Sequence, residues 1–190
     1  MNAFCSYAVL AAHLLLLLAG RPARAVEASS VYSSFDLKTC KLVSRNSEIG
    51  GIVQRCDGSG GFQIFVAEDD LRFFVGYGPN GRRQRAFEQT LSPFNSIHNT
   101  VEFRLRPGEQ RPFAAILRYR TAGQDGRETG QVLVVTKLQG HQACHMAYID
   151  ARANPNPNEM ARQAADSMVN SFDCGKDEPK TVGASGKSGM

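Results

Sequence analysis

Few side chains in this sequence stand at spacings that could do chemistry. Beyond the leader described below, the histidines are His98, His141 and His145. Glu68-Asp69-Asp70 sets three carboxylates in a row. A carboxylate pair could serve a hydrolase, and a small hydrolase with a loop site near Asp69, Asp70 and His98 is one reading. The acids lack the alternating spacing of a calcium loop, so the plainer reading is a solvated hairpin tip. A Ser92/His98/aspartate triad can be written on paper. No G-x-S-x-G elbow accompanies it, and a triad is defined by geometry. Cys144 and His145 are neighbours on a strand, where adjacent side chains point to opposite faces, so the ring is badly placed to activate that sulfur. The chain has no Trp to make a sugar platform. No catalytic residue, metal ligand or cofactor emerges.

Arginines are the second group. Arg82, Arg83 and Arg85 crowd the first turn of a segment, Arg82 to Leu91, that reads as a short amphipathic helix with Phe87 and Leu91 on one face. Three cations there oppose the helix dipole, which hints at an anionic contact; a solvated surface turn is the plainer alternative. Arg104, Arg106, Arg118 and Arg120 alternate with apolar residues on two strand-like runs, 101–106 and 113–120. Pairing Arg106 with Ala114 turns both apolar rows the same way and sets Glu102 opposite Arg118. The four arginines then share an outer face. Together these seven are the candidate anion-binding residues.

The chain begins with a leader-like segment. Ala8 to Ala19 is apolar but too short to span a bilayer, and Ala23-Arg24-Ala25 matches a signal-peptidase site, so cleavage is expected after Ala25. The first seven residues lack the usual basic side chains. Removing residues 1–25 leaves 20 of the 22 basic side chains against 18 acids, a net charge of +2 that does not argue for nucleic acid. No later run is long and apolar enough to span a membrane. Cys40, Cys56, Cys144 and Cys174 remain. An even count in an exported chain suggests two disulfides with three possible pairings, of which the sequence-local Cys40–Cys56 and Cys144–Cys174 are preferred. No C-x-x-C spacing favours zinc instead.

These residues need elements to hold them. The organising stretch is Gln131 to Cys174. Val132-Leu133-Val134-Val135 is a β-branched run, Gln139-Gly140 supplies a turn, and Ala143 to Ile149 returns as the partner strand. If Leu138 pairs with His141, Val135 faces Cys144, and Val132, Val134, His145 and Ala147 share the other face. Apolar residues on both faces suggest a central strand covered on two sides. Asn154-Pro155-Asn156-Pro157-Asn158 then breaks the pairing. Ala161, Ala164, Ala165, Met168 and Phe172 form a helical stripe, with Asn156 or Asn158 able to cap its start. Cys174 just beyond could reach Cys144.

Earlier, Ile52 to Cys56, Phe62 to Val66 and Leu71 to Tyr77 read as strands; Val31 to Phe35 reads as helix or strand. The expectation is one α+β domain over residues 26–174: a mostly antiparallel sheet, a C-terminal helix on one face and the short helix from Arg82. Residues 175–190, rich in Gly, Lys and Ser, read as a disordered tail.

Several blocks carry a resemblance: Phe65 to Val75, Arg111 to Tyr119, Gly130 to Thr136, Cys144-His145 and Ala153-Asn154-Pro155. They resemble blocks in a family of uncharacterised exported proteins of alphaproteobacteria, over most of the mature chain. The family has no assigned activity, so the resemblance implies export and a single domain and transfers no catalytic residue. The sequence therefore supports a periplasmic or secreted, non-catalytic binding or interaction module for an anionic envelope component such as a glycan, a lipid headgroup or an acidic protein. The small hydrolase is the alternative.

Overall fold

Two-residue alternation dominates this chain, and it folds into two stacked sheets with one helix behind them. The computed structural model describes residues 27–45, 51–58 and 61–186; the leader expected over residues 1–25 lies outside these. β1 (Ser29–Ser34), β6 (Phe94–Leu105), β7 (Ala114–Ala122), β8 (Glu128–Gln139), β9 (Gln142–Asp150) and β10 (Lys180–Thr181) form one sheet in the order β1-β6-β7-β8-β9-β10. β2 (Lys41–Arg45), β3 (Ile52–Asp57), β4 (Gln63–Asp69) and β5 (Arg72–Tyr77) form the other, in chain order. Every pairing is antiparallel except that of β9 with β10. With α1 (Pro157–Met168) near the C-terminus, the class is the expected α+β.

The sheets enclose one core and the helix covers another. Ile64, Val66 and Val75 meet Phe103, Leu117 and Val134 between the sheets. Behind the large sheet, Ala161, Ala164 and Ala165 of α1 pack with Leu133, Val135 and Ile149. β8 is thus covered on both faces, as its continuous apolar run requires. Each large apolar side chain fully buried this way contributes about 1.5–3 kcal/mol. Pro157 opens the helix where no N–H is needed. Asn156 precedes it without a side-chain cap, and Asn158 accepts a hydrogen bond from Arg118 instead.

Both preferred disulfides are present, Cys40–Cys56 and Cys144–Cys174. The first ties the turn before β2 to β3. The second ties the chain beyond α1 to β9, inside the helix-side core. Closing loops of 16 and 30 residues, each restricts the unfolded chain by about 3 kcal/mol.

Four expectations are corrected. The segment from Arg82 to Leu91 is not an α-helix but two 3₁₀ turns, Gly81–Arg83 and Arg85–Glu88. Gln84 between them is extended and buried. Its Oε1 accepts from Tyr77 N (3.1 Å) and its Nε2 donates to Tyr77 O (2.8 Å). The side chain acts as a strand partner for the edge of β5, and the helix is interrupted to let it do so.

The β6–β7 hairpin is slipped by two residues: Arg104, not Arg106, lies opposite Ala114, and Glu102 lies opposite Ile116. A turn closed by Glu109 N on Arg106 O, and Phe113 N on Arg104 O, removes Arg106 from the ladder. An even slip leaves every side chain on its expected face. That face is not open to solvent, however; Glu102 and Arg104 are 8% and 6% exposed.

In the β8–β9 hairpin, Leu138 pairs with Ala143, and the turn is Gly140–His141 with Gly140 at φ 60. A bulge follows: Thr136 pairs with His145 but Val135 with Ala147. Met146 and Ala147 therefore both enter the helix-side core, and Ala147 leaves the face that holds His145.

The expected loose tail is ordered through residue 186. β10 runs beside Ala147 and Tyr148, and Val182 N donates to Tyr148 O at 2.9 Å. The free backbone groups along the edge of β9 recruit it.

One turn has an unusual backbone. Between Asp69 and Arg72, which pair, Asp70 and Leu71 have φ of 48 and 59. Such hairpin turns favour Asn-Gly. Asp tolerates this region, but a leucine held there costs about 1–2 kcal/mol, and Leu71 is 60% exposed.

Candidate functional site

The seven candidate arginines do not form one surface. Arg104 donates from Nε and Nη2 to the two carboxylate oxygens of Asp166 on α1 (3.0 and 2.5 Å) and from Nη1 to Ser30 Oγ (2.6 Å). Arg106 donates to Asn170 Oδ1 at 2.9 Å and lies over the Phe113 ring. Arg85 donates to the carbonyls of Cys174 and Asp177 and to Glu178 Oε1 (2.5, 3.0 and 2.6 Å). These three fasten the helix and the tail. Arg82, Arg83 and Arg120 are exposed and form no ion pair among the described residues.

Arg118 differs from all of them. It is half-buried, and its partners are neutral amides: Nη1 donates to Gln131 Oε1 (3.1 Å) and Nη2 to Asn158 Oδ1 (3.0 Å). Burial, and then the charge of Arg120, push its pKa down. No carboxylate among the described residues pairs with it. It lines a groove of about 170 Å³ where β6 and β7 emerge beside the start of α1, with Tyr32, His98, Thr100, Glu102 and Arg162.

The other charges of this groove are matched. Arg162 Nε donates to Glu102 Oε1 (2.6 Å) and its Nη2 to Tyr32 Oη (3.0 Å). The Glu102 hydrogen bond comes first among the causes that push the Arg162 pKa up. Ser30 Oγ also donates to Glu102 Oε1 (2.5 Å). Arg118 is therefore the uncompensated charge, and a carboxylate or phosphate oxygen is its natural complement. Sequence reasoning named Arg118 and set Glu102 opposite it, but missed Tyr32 and Arg162, because the Glu102–Arg162 contact spans 60 residues. The helical pattern alone would have put Arg162, next to the buried Ala161, at the rim of the sheet.

The proposed acid–histidine site is not assembled. Asp70 pairs with Arg72 at the β4–β5 tip, whereas His98 lines the Arg118 groove. His145 is buried; its Nδ1 is 3.0 Å from Tyr148 Oη. Burial, with Arg85 nearby, pushes its pKa down to about 3, and burial pushes Tyr148 up to about 12. His141 Nδ1 accepts from Asn80 Nδ2 at 2.9 Å. Among the described residues no three His, Cys, Asp or Glu side chains gather as metal ligands. Nor, among them, is any helix long and apolar enough to cross a membrane.

No family model, curated protein or solved structure matches this chain.

Proposed function

We propose that this chain is an exported, non-catalytic binding module that takes an anionic group at Arg118. The carrying observation is a half-buried guanidinium, facing a groove, whose hydrogen-bond partners among the described residues are the side chains of Gln131 and Asn158. A cation taken partly out of water without a counter-charge is a standing demand for an anion. Arg120 nearby adds positive potential at the same end of β7. Two disulfides support export to an oxidising compartment, the periplasm or beyond.

The ligand class is a carboxylate or phosphate of the cell envelope. Titration of the full chain with inorganic phosphate and with vesicles containing phosphatidylglycerol, over a range of salt, tests the reading. Binding should weaken with ionic strength, and Arg118→Gln should reduce it ~10-fold, the worth of one charge-assisted contact. Affinity indifferent to salt, or unchanged by Arg118→Gln, would discard the proposal.

A further inference from the structure

Leu71 occupies a position that stability does not explain. It is the second residue of the β4–β5 turn, at φ 59, and 60% exposed. Glycine there would relax the backbone and give up little packing. Strain that no packing offsets is a pointer to function. Here it has a cavity to serve. Leu71 lines a cleft of about 360 Å³ at the open end of the two sheets, within the range of small-molecule sites.

The cleft has an apolar wall and a charged rim. Phe73 and Phe94 line it, both partly exposed. Its two sides are locked together: Asn95 N donates to Leu71 O (2.9 Å), and Phe73 N donates to Asn95 Oδ1 (2.9 Å). Arg72 stacks on Phe94 at 5.3 Å. On the β7 side the rim carries Arg120 and Glu128. Glu128 is engaged by Arg152 and Gln131 and also feels the charge of Arg120, and Arg120 is the cation of the lining. Glu68, on the β4 wall, adds a negative charge to the lining.

We infer that this cleft binds a small amphiphile. Its aromatic or branched apolar body lies under Leu71 against Phe73 and Phe94, and its carboxylate points to Arg120. Arg120 is the cation of the lining and so sets that orientation. The site is separate from the Arg118 groove and stands whether or not that groove binds anything.

The test uses three probes with one body: phenylbutyrate, phenylbutyramide and phenylbutylamine, titrated into the full chain by calorimetry. The carboxylate should bind tightest, and Arg120→Gln should weaken it ~10-fold. Leu71→Gly should weaken all three about 5-fold through lost apolar contact, with the melting temperature unchanged or raised. Saturating inorganic phosphate, the probe of the Arg118 groove, should leave the affinity of the uncharged phenylbutyramide unchanged, which separates this site from the groove. A lowered melting temperature with unchanged affinity in Leu71→Gly would make the leucine structural and overturn the inference. So would tighter binding of the amine, or no saturation by any probe at millimolar concentration.

Discussion

Arg162 on α1 reaches Glu102 on β6 at 2.6 Å, joining two elements 60 residues apart in sequence. Glu102 is nearly buried and also accepts from the Ser30 hydroxyl. Removing the arginine would leave that carboxylate without its cation. Arg162→Ala should therefore destabilise the fold by about 2 kcal/mol. A double-mutant cycle with Glu102→Gln, read by urea unfolding, should show coupling; strictly additive losses would mean the pair does not dock the helix.

Gln84 replaces a whole strand partner with one side chain. Gln84→Ala strands both the N–H and the carbonyl of buried Tyr77. A loss of about 1–3 kcal/mol is expected, and hydrogen exchange of the Tyr77 amide should accelerate. An unprotected Tyr77 amide in the parent chain would contradict this account.

His145 gives the fold an acid-sensitive element. In the unfolded chain it takes up a proton near its ordinary value of 6.5, but in the folded chain only near 3. Between these values the unfolded state binds more protons, so stability is complete above pH 6.5 and falls as pH drops towards 3. Arg85 and Tyr148 are the groups facing the ring. His145→Phe should flatten the pH dependence of the urea midpoint across this window. An unchanged slope would assign the acid sensitivity to the carboxylates.

The Cys144–Cys174 bridge and Arg85 hold the same stretch of chain, at Cys174 and beyond. Replacing both cysteines by alanine should cost about 3 kcal/mol. The same change should raise hydrogen exchange at Val182, whose N–H bonds Tyr148. If Val182 stayed protected, the tail would be held by its own contacts alone.

Much of the architecture was readable from local pattern. The β-branched run at Val132 announced a strand covered on both sides, and the alanines of α1 announced the helix face that packs. Both cysteine pairs followed from proximity in sequence. What escaped was set by contacts distant along the chain. An even slip in β6–β7 changes which residues pair without changing any face, so alternation cannot detect it. The bulge at Met146 is invisible to a strict period of two. The arginines looked like one solvated face because nothing in β6 or β7 reveals that α1 returns to lie across them with Asp166, Asn170 and Asn158 in place. Arg118 was named for its alternation; its missing counter-charge could only be seen once its neighbours had gathered around it.

β10 is only two residues long, yet it lies along the outer edge of β9. Without it, a row of peptide groups beside Ala147 and Tyr148 would stand ready to template another chain. A form cut after Cys174 should keep both sulfur links and still tend to polymerise through this side, so the segment carrying β10 guards the colloidal behaviour of the protein as well as its shape.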